Sequence, residues 1–154
     1  MYYKTINIMI ADFNTMSKCF NECNKKYFNH SLPIPEFGTL NKLNTIARFE
    51  HRKNKGKNKT RKPLEYKKIL FSDCYDFEEK DFIDIMVHEM VHYYISWNQI
   101  KDNRAHGKKF MEMANELNEK YGLDITKTKD ASLFKKTEKA SFAKSFFKKL
   151  FSIE

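Results

Sequence analysis

His88-Glu89-Met90-Val91-His92, inside the longer run Phe82-Ile83-Asp84-Ile85-Met86-Val87 and Tyr93-Tyr94-Ile95-Ser96-Trp97, decides how this chain is read. Residues four apart on an α-helix project from nearly one face, a turn apart. Two imidazoles at that spacing can hold one metal ion at about 2.0–2.1 Å each. Glu89 follows the first histidine by one position, so its carboxylate lies beside the ion without binding it, where it can take a proton from bound water. The flanking residues are apolar around nearly the whole circumference, which predicts a helix over about 78–99 buried on several sides. Two histidines and a glutamate are costly there unless paired or bound to metal. A hydrogen-bonded pair of core histidines is the plain alternative, and the glutamate at this offset argues for the metal.

Two histidines do not complete a catalytic zinc site, which takes three protein ligands and keeps one position open. A metzincin would continue with Gly and then His, where this chain has Ile95 and Asn98, so that subclass is excluded. His106 follows His92 by fourteen residues, in Asp102-Asn103-Arg104-Ala105-His106-Gly107. A polar loop there can fold back over the metal, and Gly107 permits a close approach or an unusual φ. Glu112 and Glu116, on the next helical segment, are the other candidates, although on an ordinary solvated helix both are surface charges. His106 is favoured and the glutamates stay open.

Around this helix the pattern alternates between strands and helices. Residues 1–12 are partly β-branched and read as a strand or a lead-in. Residues 14–29 read as a helix capped by Asn14 or Thr15, with Met16, Phe20, Cys23 and Tyr27 as its buried stripe, ended by Pro33 and Pro35. Residues 36–51 read as one or two short strands with a turn near Asn41–Asn44, and Tyr66 to Ser72 as a further strand. Asp76 is the expected cap of the long helix, with Glu78 and Glu79 in its first turn. Residues 107–121 form another helix, with Phe110, Met113, Ala114 and Leu117 inward and Gly122 at its C-terminal cap. From Ser132 on, Ala143, Phe146, Phe147, Leu150 and Phe151 fall on one helical face beside Lys144, Lys148 and Lys149, a basic amphipathic helix. It either docks on the rest of the chain or meets an anionic membrane or a partner. The class is α+β.

The 154 residues suit one domain plus an appendage, and the formal charge of +9 is unevenly spread. Arg52 to Lys68 holds nine basic residues against Glu65, and Thr126 to the end holds eight lysines against three acids. What remains is mildly acidic. Such a distribution suggests contact with a polyanion, against the plainer reading of a solvated lysine-rich loop. The basic loop lacks interleaved aromatics, so nucleic-acid contact through 52–62 would be non-specific and made to phosphates. Cys19, Cys23 and Cys74 are odd in number with no CxxC, which fits a reducing compartment. No convincing signal peptide or membrane-length apolar run is present, so a cytoplasmic, monomeric protein is expected.

With these residues placed, the chain resembles the SprT-like family of zinc metallopeptidases, which includes the Spartan-type DNA–protein crosslink proteases. Asn24-Lys25-Lys26-Tyr27-Phe28-Asn29-His30-Ser31-Leu32-Pro33 is similar to the family's first helix and its "YF…LP" turn. Ile69-Leu70-Phe71-Ser72 is similar to the strand before its catalytic helix, His88 to His92 to its HEMxH core, and His106-Gly107-Lys108-Lys109-Phe110 to its "HGxxF" segment. The likeness spans about residues 14–122. The zinc ribbon with two CxxC pairs that many members carry has no counterpart here. The resemblance implies a minimal zincin-like domain over 1–125, with a small mixed sheet of about three strands packed on the active-site helix and flanking helices, and 126–154 as the basic tail. It implies zinc on His88, His92 and His106, Glu89 as catalytic acid/base, and protein substrates near DNA.

Several roles are then expected. The edge strand that receives substrate is Lys68 to Ser72. Asp84 orients a ligand imidazole or is exposed, and Tyr93 or Tyr94 supplies an oxyanion donor or is core. A different class of function, a nucleic-acid-binding module with a purely structural zinc, would have no use for Glu89.

Overall fold

Asp12 starts the first helix. Its backbone is extended and its carboxylate accepts the Thr15 N–H at 2.8 Å. The cap is therefore Asp12 rather than Asn14 or Thr15, because a carboxylate upstream reaches the orphan donor. Helix α1, Phe13–Phe28, buries Met16, Cys19, Phe20 and Cys23 on one face and ends at Asn29, which is left-handed at φ 51°. The Asn24 side chain fixes the following turn by bonding both the N–H and the carbonyl of Leu32. The computed structural model describes residues 7–53 and 65–142.

Five strands precede the long helix: β1 (Ile8–Met9), β2 (Glu36–Leu40), β3 (Ala47–Lys53), β4 (Glu65–Ser72) and β5 (Tyr75–Glu78). In one sheet β4 is central, parallel to β2 and antiparallel to β3. Its residues Ile69, Leu70, Phe71 and Ser72 are all buried, as a strand flanked and covered should be. This is the small mixed sheet of three strands that was expected. The second sheet was not expected. In it β5 lies between β1 and β6 (Lys135–Lys136). Four residues, with Tyr75 and Phe77 buried and Asp76 and Glu78 less so, are too short a run for the period of two to stand out.

Helix α2, Glu79–Trp97, runs from the end of β5 into the core. Asp76 belongs to the strand and does not cap it. The cap position is Glu78, whose side chain makes no capping bond. Glu79 and Asp81 favour the helix start electrostatically, and the Glu79 N–H is taken up by the Asn7 carbonyl at 3.2 Å. Phe82, Met86, Val87, Met90 and Val91 are fully buried, and Phe71 stacks on Phe82 at 4.6 Å. Each such side chain contributes about 1.5–3 kcal/mol of burial. Helix α3, Lys108–Tyr121, packs against α2 through Phe110, Ala114 and Leu117 and ends at the left-handed Gly122.

The tail departs from the expected continuous helix. A 3-10 turn, Ala131–Leu133, leads into β6, and residues 138–142 are helical. The amphipathic positions from Ala143 on lie outside the described residues, as does most of the basic loop, 54–64. Among the described residues no helix is long and apolar enough to cross a membrane. Cys19, Cys23 and Cys74 are free and buried.

Candidate metal centre

Helical spacing does for His88 and His92 what was expected of it. Their Nε2 atoms lie 3.2 Å apart. His106 comes in from the segment between α2 and α3, with Nε2 3.0 Å from His92 and 3.1 Å from His88. Three nitrogens on one ion at about 2.0–2.1 Å in a tetrahedral array are roughly 3.3 Å apart, so the triangle has the size that such an ion requires. Among the described residues these three form the group that could hold a metal ion. Glu112 is instead paired with Lys108 and Lys109 on the outer face of α3, and Glu116 is exposed. His51 bonds Ser96 and Glu65, away from the cluster.

The rings are built to be neutral. Burial first, then the neighbouring imidazoles, pushes His88 down to about 3. Burial and His106 take His92 to about 4, and burial lowers His106 as well. Neutral imidazoles offer the lone pairs that a divalent cation needs. Behind them sits Phe110, with its ring 4.5 Å from His92, 4.7 Å from His106 and 4.9 Å from His88. Read from sequence as a core residue, Phe110 is also the wall that all three rings meet, His92 stacked on it and His88 and His106 edge-on.

His106 owes its place to a clasp. The carboxylate of Asp102 accepts the Asn103 and Phe110 N–H groups, at 2.9 and 3.1 Å, so it caps α3 from outside the helix. The N-cap position itself is Gly107, which has no side chain to offer. A Cβ on Gly107 would lie 2.0 Å from the Asp102 Oδ1. With φ at −81°, Gly107 is required for close approach and not for backbone conformation. Asp102 was not singled out by sequence reasoning. The available signal was a helix start lacking any Ser, Thr, Asn or Asp of its own, preceded by one in the loop.

Glu89 is 6% exposed, and burial raises its carboxyl to about 8 against the lowering effect of a bond from the Phe49 backbone N–H. A value near neutrality suits a group that both takes and returns a proton. Phe49 lies on β3, an edge of its sheet, with β4 on its other side. Among the described residues the free edge beside the cluster is therefore β3, and the expected Lys68 to Ser72 is the central strand, paired on both sides. Because the Phe49 N–H points away from β4, Ala47 and His51 turn their backbone groups to the same free edge.

Two cavities meet at the cluster. One, of about 420 Å³, is lined by Ile46, Ile85, Ile125, Thr126 and Ala131; the other, of about 390 Å³, by Arg48, Phe49, His92 and Ala105. Ala47, His88, Glu89 and His106 border both. The hydrogen bonds of Asp84 run to Lys80 and Asp124 and not to a ligand ring. It is 1% exposed and accepts the Asp124 N–H at 3.1 Å, with Lys80 at 2.7 Å on its other oxygen. Tyr93 is core, stacked on Phe49 at 5.3 Å, and Tyr94 packs on Phe28.

A comparison with curated proteins found no match. The model of the SprT-like family matches residues 16–129, which takes in the three imidazoles and the lining of both cavities except Asp130 and Ala131. The chain belongs to the SprT-like family, a family of zinc metallopeptidases.

Proposed function

From membership of that family and the convergent imidazoles, we propose that the protein is a zinc-dependent endopeptidase acting on protein substrates. His88, His92 and His106 are the zinc ligands and Glu89 is the acid/base. The observation that carries this reading is the meeting of three Nε2 atoms within 3.0–3.2 Å of one another, with a buried carboxyl one residue from the first. When bound, zinc supplies Lewis acidity, lowering the pKa of water and polarising a carbonyl.

The chain's own residues do the rest. A substrate in extended form adds to the free edge of β3, through backbone hydrogen bonds that select little by side chain. The Phe49 N–H holds the Glu89 carboxyl at the level of that edge. Glu89 accepts a proton from the attacking water and delivers it to the departing amine. The apolar surround of Phe110, Ile85 and Ile46 restricts water, which strengthens every charge interaction inside.

The surplus of lysine and arginine in Arg52 to Lys68 supports a further reading, that the substrates are proteins held near nucleic acid. Glu89→Gln tests the main one. It should retain one zinc per chain while cleavage of an unfolded protein such as casein falls by about 10²–10⁴. Wild-type protein without stoichiometric zinc, or cleavage unaffected by Glu89→Gln, would refute it. For the nucleic-acid reading, affinity of the whole chain for single- and double-stranded DNA should fall steeply with salt, and salt-independent binding would count against it.

A further inference from the structure

Between Gly122 and the 3-10 turn at Ala131, residues 123–130 form neither helix nor strand, yet they are tightly held. Asn118, on α3, bonds Ile125 twice: its Oδ1 accepts the Ile125 N–H at 2.8 Å, and its Nδ2 donates to the Ile125 carbonyl at 3.0 Å. Ile125 itself is 2% exposed. Asp84, on α2, takes the Asp124 N–H at 3.1 Å, and its second oxygen faces Lys129 at 3.7 Å. Lys129 is also 3.5 Å from both Asp81 and Asp124. The segment is thus fastened on both sides of Thr126.

The Thr126 backbone carbonyl lies within hydrogen-bonding reach of His88, and both residues line the larger cavity. Since the His88 Nε2 faces the other two imidazoles, the donor to that carbonyl is Nδ1–H. Such a bond selects the tautomer whose Nε2 lone pair is free, and it fixes the plane of the ring. Asp84 stands four residues before His88, on the same face of α2, so the segment it holds shares a cavity wall with His88. Burying a carboxylate there is costly, and the bonds that offset the cost lead to this segment as well as to its own helix through Lys80.

We propose that residues 124–129 are a strap that sets His88 for its ligand role, and that Asp84 and Asn118 are the positioning residues that hold the strap. This rests on the zinc assignment above. Neither residue reaches the shared point of the imidazoles. Both act through one carbonyl, which distinguishes them from two independent contributors to stability.

The test uses the full chain. Zinc affinity is measured by chelator competition for wild type, Asn118→Ala, Asp84→Ala and the double variant. The tautomer of His88 is read by ¹⁵N NMR of the metal-free proteins. Each single variant should bind zinc about ten- to a hundredfold more weakly. The double variant should be hardly weaker than the worse single one, and the Nδ1–H signature present in wild type should be lost in each. Asp84→Asn keeps an acceptor for the Asp124 N–H, and stands in if Asp84→Ala fails to fold. Its loss should be smaller. Folded variants that bind zinc like wild type, losses that multiply, or a His88 tautomer unchanged by loosening the strap would each overturn the proposal. A wild-type protein that binds no zinc would sink the peptidase reading instead, and the ring tautomer would still report on the strap.

Discussion

Two of the three imidazoles ride on a helix and the third on a loop, and the two parts of the site are made rigid in different ways. His88 and His92 are placed by helical periodicity, inside an element whose neighbours Met86, Val87, Met90 and Val91 are fully buried. Little else is needed, because shifting either ring means moving the core. His106 follows a solvated stretch, with Arg104 and Ala105 exposed. It is placed by one carboxylate, Asp102, one glycine that lets the carboxylate approach, and Phe110 behind the ring. The helix-borne pair draws on cooperative packing, and the loop-borne ligand on a few specific contacts. A site of this kind can be preformed on one side and adjustable on the other.

The hardest test of that contrast removes one ligand from each side. His92→Ala and His106→Ala should both abolish stoichiometric zinc. Isothermal titration should find residual weak binding only in His106→Ala, where the preformed pair survives. Equal residual binding in the two variants would break the comparison. Next in size is Phe110→Ala, which strips the wall common to both sides. It should lower stability by about 3–5 kcal/mol in urea unfolding and weaken zinc as well.

The metal-free protein provides a third test. His88 and His92 have folded values of about 3 and about 4 against an ordinary 6.5, so the unfolded chain binds more protons as pH falls below 6.5, and stability drops on that side. Glu89 is raised to about 8 from 4.5, so between those values the folded chain keeps a proton the unfolded one has lost; its contribution falls as pH rises from 4.5 through 8, opposing the histidines below 6.5 and acting alone above it. The melting temperature after chelation should peak near 6.5, and Glu89→Gln should remove the alkaline fall and steepen the acid one. The smallest effect belongs to the loop. Gly107→Ala should push Asp102 aside and weaken zinc about tenfold while the circular dichroism of the helices stays unchanged.

Legibility in the sequence follows the same division. His88, Glu89 and His92 and their helix could be read directly, because helix geometry ties spacing to direction. His106 could be favoured over Glu112 and Glu116 but not fixed, because loop conformation is not encoded by a period. The sheet edge was misassigned to Lys68–Ser72. A run of buried residues marks a covered strand, which argues for the centre of a sheet, while Ala47 to His51, only half-buried, belong to the edge. Strand β5 was missed because its acids resemble helix-start residues. The sequence leaves Asp84 either orienting a ligand imidazole or exposed. It is buried, and its bonds run to a segment forty residues later that no local pattern could have indicated.

Strand β5 has one more implication. It is flanked by Ile8–Met9 on one side and Lys135–Lys136 on the other, and it leads directly into α2. During synthesis, the ribosome must have released residue 136 before that ribbon can be completed. Pairings this distant along a chain close slowly. The base of the helix bearing His88 and His92 is thus secured late, so a nascent chain holds an unfinished site until residue 136 has emerged. Pulsed hydrogen exchange on stalled chains of increasing length should find β5 unprotected until then.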